Sequence, residues 1–87
     1  MKVAVWDTYV SKKDGKTMHF DILAPDGITD LETIYSFGKD YLSAKNQQES
    51  SLSAKECNFC HIERATPEIE EAITKKGYYI IEMEGCE

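Results

Sequence analysis

The sequence predicts an α+β fold of order ββαβαβ, a two-layer sandwich in which a four-stranded mixed sheet carries both helices on one face. Three observations lead there. Lys2 to Val10 and Thr17 to Leu23 are rich in β-branched and aromatic residues and flank an Asp14-Gly15 turn signal, the pattern of a hairpin. Two later stretches, about Asp30 to Lys45 and Thr66 to Lys76, join capping residues to apolar side chains at helical spacing. Short runs at about Asn58 to Arg64 and Tyr78 to Glu84 read as strands. At 87 residues the chain has room for a single domain, residues 1–87, with one small core.

The hairpin register has two readings. A two-residue turn at Asp14-Gly15 would set Ile22 opposite Asp7 and Phe20 opposite Tyr9, placing a carboxylate on the apolar face. A three-residue loop, Lys13-Asp14-Gly15 with glycine left-handed, instead pairs Met18 with Val10, Phe20 with Thr8, Ile22 with Trp6 and Ala24 with Ala4. A slip of one residue exchanges the faces, so the better-matched apolar set selects the second register. Its other face then brings Asp7 opposite Asp21 and Tyr9 opposite His19, with Val3, Val5 and Leu23 nearby. Like charges facing each other across a ladder destabilise it, so this pair calls for a cation or a positive side chain.

Ala24-Pro25-Asp26-Gly27 is turn chemistry, and Thr29-Asp30-Leu31-Glu32 is a capping box that opens the first helix. Asn46 to Ser51 reads as a surface loop, and Ser53 to Glu56, with Leu52 before it, as one short helical turn ahead of the third strand. Thr66-Pro67-Glu68 starts the second helix, Ile69, Ala72 and Ile73 form its buried stripe, and Lys75-Lys76-Gly77 ends it. A strand, a helix of about ten residues and a strand fit the minimum for a parallel crossover, so the third and fourth strands are expected parallel or close in the sheet. Cys60 and Ile62 are then expected to face the helices. Phe59, His61 and Glu63 are expected on a partly open face with Asp7, His19 and Asp21.

Composition bounds the function. A net charge of −6 argues against nucleic acid, because phosphate binding needs a basic patch, and Lys12, Lys13 and Lys16 cluster only at the hairpin tip. No apolar run is long enough to span a membrane. The opening Met1-Lys2-Val3-Ala4-Val5-Trp6-Asp7 meets a charge too early for a secretory leader, so a cytoplasmic location with reduced cysteines is expected.

The chemistry-bearing residues gather around Cys57-Asn58-Phe59-Cys60-His61. The letters match the haem c attachment pattern, but such attachment belongs to exported proteins and a sheet-forming chain offers no haem crevice. A zinc site would use Cys57, Cys60 and His61, with Cys86 and His19 as further donors. Against it stand a single CxxC, no glycine after Cys60, and the divergence of adjacent side chains in a strand. A dithiol redox site is poorly served by the polar Ser53 to Glu56 lead-in, and cysteines acting as small buried hydrophobes are the ordinary alternative. The second cluster, Asp7, His19 and Asp21, suits a divalent cation or acid-base chemistry; its ordinary alternative is a wetted sheet face.

With these residues in view, the chain resembles a family of small uncharacterised bacterial proteins known only as a domain of unknown function. The likeness runs through Val5-Trp6-Asp7-Thr8-Tyr9-Val10, Lys13-Asp14-Gly15-Lys16, His19-Phe20-Asp21-Ile22-Leu23, Ala54-Lys55-Glu56-Cys57, Phe59-Cys60-His61-Ile62-Glu63 and Lys76-Gly77-Tyr78-Tyr79-Ile80-Ile81-Glu82-Met83. The resemblance implies one small α+β domain and no assigned activity. Two functions from different classes follow from the residues. One is a small non-catalytic binding or interaction protein, with a small-molecule ligand or with a second copy docked through the open sheet face or the last strand's edge, and with no cofactor expected. The other is a metal-dependent, zinc-type, or thiol-dependent enzyme using Asp7, His19, Asp21, Cys57, Cys60 and His61.

Overall fold

A computed structural model describes residues 1–46 and 57–86. The loop expected from Asn46 to Ser51 and the short turn at Ser53 to Glu56 fall almost wholly outside the described residues. Within them the chain forms β1 (Lys2–Ser11), β2 (Thr17–Pro25), α1 (Leu31–Ala44), β3 (Cys57–Arg64), α2 (Pro67–Lys76) and β4 (Tyr79–Glu84), the expected α+β order.

The hairpin adopts the odd-length connection. Lys12 N donates to Lys16 O at 2.7 Å, Gly15 turns with φ +88°, and Asp14 Oδ1 accepts from Lys16 N at 2.9 Å. The register follows: Val10 pairs with Met18, Thr8 with Phe20, Trp6 with Ile22 and Ala4 with Ala24, leaving Asp7 opposite Asp21 and Tyr9 opposite His19.

The sheet departs from expectation in two ways. Its order is β3-β1-β2-β4 with every pair antiparallel, so it is not mixed, and β3 and β4 are opposite edges rather than parallel neighbours. The helices also lie on opposite faces instead of sharing one. Ile34, Tyr41 and Leu42 of α1 pack on Trp6, Phe20 and Ile22, whereas Ile69 and Ile73 of α2 pack on Val3, Val5 and Leu23. The physical reason lies in the two central strands: Val3-Ala4-Val5-Trp6 and Ile22-Leu23-Ala24 are buried without alternation, which demands apolar cover on both sides. The β3-α2-β4 connection supplies the second cover by carrying the chain across the sheet from one edge to the other.

The start of α2 is as expected, whereas α1 begins one residue later than the Thr29–Glu32 capping box implies, with Asp30 rather than Thr29 as its cap. Asp30 caps α1, its Oδ1 accepting from Glu32 N at 3.2 Å, and Thr66 caps α2, its Oγ1 accepting from Ile69 N at 3.3 Å. Two tyrosines tie α1 to β4 and to the turn before it. The Tyr41 hydroxyl donates to Glu82, and the Tyr78 hydroxyl donates to Asp40 Oδ2 at 2.5 Å. Burial is the main cause that pushes both hydroxyls above the usual tyrosine range. Beyond β4 the chain folds back onto the hairpin: Lys12 Nζ donates to Gly85 O at 3.0 Å, and Gly85, at φ +70°, lies so close to β2 that a Cβ would sit 2.3 Å from Thr17 O.

Candidate functional site

α2 has only ten residues and covers the Val3, Val5 and Leu23 end of its face. The other end of the same face, where β1 and β2 run toward the hairpin tip, carries Asp7, Tyr9, His19 and Asp21. Strand alternation places all four on one side, and pairing register sets them in two facing couples.

Four polar and aromatic groups meet there. His19 Nε2 lies 2.6 Å from Asp7 Oδ1, and the Tyr9 ring stacks on the imidazole with centroids 4.2 Å apart and planes 11° from parallel. Asp21 is 7% exposed, and its Oδ1 is sealed from solvent with no hydrogen-bond partner. Burial, then the hydrogen bond and charge of Asp7, push the Asp21 carboxyl up to about 6. The Asp7 carboxyl moves the other way. The hydrogen bond to His19 holds it below the usual carboxylate range, against the opposing effect of burial. Two carboxyls this close do not readily ionise together, so below about pH 6 Asp7 carries the charge and Asp21 keeps a proton, and above it both are ionised and repel.

One donor atom from each of Asp7, His19 and Asp21 can be chosen so that all lie within 4.8 Å of one another. Donors bound about 2 Å from one ion sit roughly 3–4 Å apart, so small side-chain movements bring these three onto a single cation.

The cysteine-rich segment is arranged differently. Cys57 pairs with Thr8 and is buried with the α1-side core, while His61 pairs with Val5 on the α2 side. The expected trio Cys57, Cys60 and His61 is therefore not brought together, and Cys86 is buried with its Sγ 3.5 Å from His19 O. A bulge explains the change of side. Val5 pairs with His61 but Trp6 pairs with Phe59, so Cys60 is an extra residue in β3. Phe59 was expected on the polar side; it instead meets Trp6 edge-on from the α1 side, with ring centroids 5.6 Å apart. Ile62 pairs with Ala4 and faces α1 as expected, but stays 45% exposed. His61 and Glu63 do reach the expected face, and the charge of His61 acts on Asp21. The Tyr9 stack on His19 was not singled out from the sequence, although their cross-strand pairing was the signal for it.

The family model described as Domain of unknown function (DUF2024) matches residues 1–83. An NMR structure of protein NE1680 from Nitrosomonas europaea, a structural genomics target, is similar over 100% of both chains, with 42% sequence identity and a TM-score of 0.85. No curated protein matches the chain.

Proposed function

The chain belongs to the family described as a domain of unknown function (DUF2024), a membership that assigns no activity, so we propose a role from its own residues: a small non-catalytic binding protein whose ligand is a divalent cation held by Asp7, His19 and Asp21. One observation carries this reading. Asp21 Oδ1 is a buried acceptor with nothing to accept from, beside a second carboxylate and an imidazole. An unpaired buried acceptor ordinarily costs about 1–3 kcal/mol, and a cation between the carboxylates removes that cost together with the repulsion across the ladder.

Two carboxylate oxygens and one imidazole nitrogen suit zinc or manganese better than a soft, thiolate-seeking ion. Tyr9, stacked on the imidazole, holds its ring plane and aims Nε2 at Asp7.

Calorimetric titration of metal-stripped protein with zinc and with manganese tests the reading. One site per chain is expected, with affinity reduced at least roughly tenfold in Asp21→Asn and in His19→Ala, each loss corresponding to about 1.4 kcal/mol or more. Undiminished binding by Asp21→Asn, or no binding by the parent protein, would sink it.

A further inference from the structure

A second polar group lies on the bulged edge strand and takes no part in the cation site. In a regular strand Cys60 and His61 would point to opposite faces. The extra residue at Cys60 breaks that alternation and brings the two side chains together, with His61 Nδ1 3.2 Å from Cys60 Sγ. On the far side of the ring, His61 Nε2 lies 3.2 Å from Glu63 Oε2. With the Nε2 proton donated to Glu63, Nδ1 is left as an acceptor facing the thiol. The order is nucleophile, base and orienting carboxylate, built from three residues of one strand.

We infer that Cys60 is a reactive thiol, with His61 as its base and Glu63 orienting that base, and that it takes up small disulfides by thiol–disulfide exchange. His61 Nδ1 takes the Sγ proton, and the thiolate attacks one sulfur of the disulfide R–S–S–R. The S–S bond breaks as the new one forms, and the leaving thiolate takes the proton back from His61 and departs as R–SH. Cys60 ends as a mixed disulfide and one equivalent of the small disulfide is consumed, so no further oxidant is needed.

Accessibility selects Cys60 among the three cysteines: it is exposed, whereas Cys57 and Cys86 are buried. Cys57, despite its CxxC spacing, belongs to the α1-side core and is placed away from the His61 side, so no second thiol resolves the adduct and the modification persists. Glu63 lies against the base beside the thiol, and His61 is near enough to Asp21 to act on it, in a chain of net charge −6. That balance favours a cationic disulfide over an anionic one.

The test is reaction of the folded full-length protein with cystamine at neutral pH, followed by intact mass and peptide mapping. One cysteamine per chain on Cys60 is expected, none on Cys57 or Cys86, and none at all in Cys60→Ser. A free cysteine is only a few per cent thiolate at neutral pH, so His61→Gln should slow the reaction roughly tenfold and Glu63→Gln about threefold, with unchanged circular dichroism. Oxidised glutathione should react more slowly than cystamine. A wild-type rate in His61→Gln would reduce Cys60 to an ordinary exposed thiol and overturn the inference, as would an adduct on either buried cysteine.

Discussion

The two faces of the sheet are built from the same pair of central strands yet solve different problems. On the α1 side a helix of fourteen residues covers Trp6, Phe20 and Ile22, and its polar contacts are tyrosine hydroxyls aimed at carboxylates at the rim. On the α2 side a ten-residue helix covers only one end, and the uncovered end holds two facing aspartates and a histidine. The contrast teaches that helix length decides where polar residues on a central strand are tolerated. Asp21 is already buried there, and a longer α2 would bury the partly exposed Asp7 as well, adding the cost of taking a second carboxylate out of water.

The contrast can be sharpened by mutation, beginning with the largest effect. Phe20→Ala, at the dry centre of the α1 side, should cost about 3–5 kcal/mol in urea unfolding, whereas Ile73→Ala under the shorter helix should fall near the lower end of about 2–5 kcal/mol. Equal losses would mean that the two layers contribute alike.

A pH dependence should separate the faces next. The Asp21 carboxyl sits at about 6 in the folded protein against an ordinary 3.8, so the folded chain keeps a proton that the unfolded chain has released. Its stabilising contribution is therefore complete below about pH 4 and is lost as pH rises through about 6, to the extent of about 1–3 kcal/mol. Asp7, depressed by His19, acts in the reverse sense: it stabilises above 3.8 and loses that contribution only as pH falls below it. Unfolding measured from pH 4 to 7 should thus show declining stability in the metal-stripped protein, and Asp21→Asn should flatten that slope. A slope that survives the substitution would place its origin elsewhere.

The smallest effect belongs to the rim of the α1 side. Tyr78→Phe removes the hydrogen bond to Asp40 and should cost about 1 kcal/mol. It should also reduce the loss of stability above pH 10, because a tyrosine held above its ordinary 10.0 stabilises the fold only until the unfolded chain begins to ionise.

Much of this was legible before any coordinates. The apolar match of Val10, Thr8, Trp6 and Ala4 with Met18, Phe20, Ile22 and Ala24 selected one hairpin register, and with it the Asp7–Asp21 and Tyr9–His19 couples. Thr66, Pro67 and Gly77 bounded α2 because capping is local chemistry. Strand–helix–strand spacing points to parallel β3 and β4, and two helices look too few to cover four strands from both sides, yet the sheet is antiparallel and each helix covers one face. The unbroken apolar runs Val3 to Trp6 and Ile22 to Ala24 already called for cover on both faces. The bulge at Cys60 had no local signal. Nothing in Phe59-Cys60-His61 distinguishes an extra residue from a regular one, since the offset is set by how β3 fits the edge of β1.

Trp6, the chain's one tryptophan, meets the ring of Phe59 across the junction between a central strand and the outermost one. Its fluorescence is consequently a local gauge of whether that border strand remains attached, while far-ultraviolet dichroism averages over the entire backbone. Monitoring denaturation with both signals will tell whether β3 peels away first or departs with everything else, since a single cooperative transition requires the two curves to superimpose.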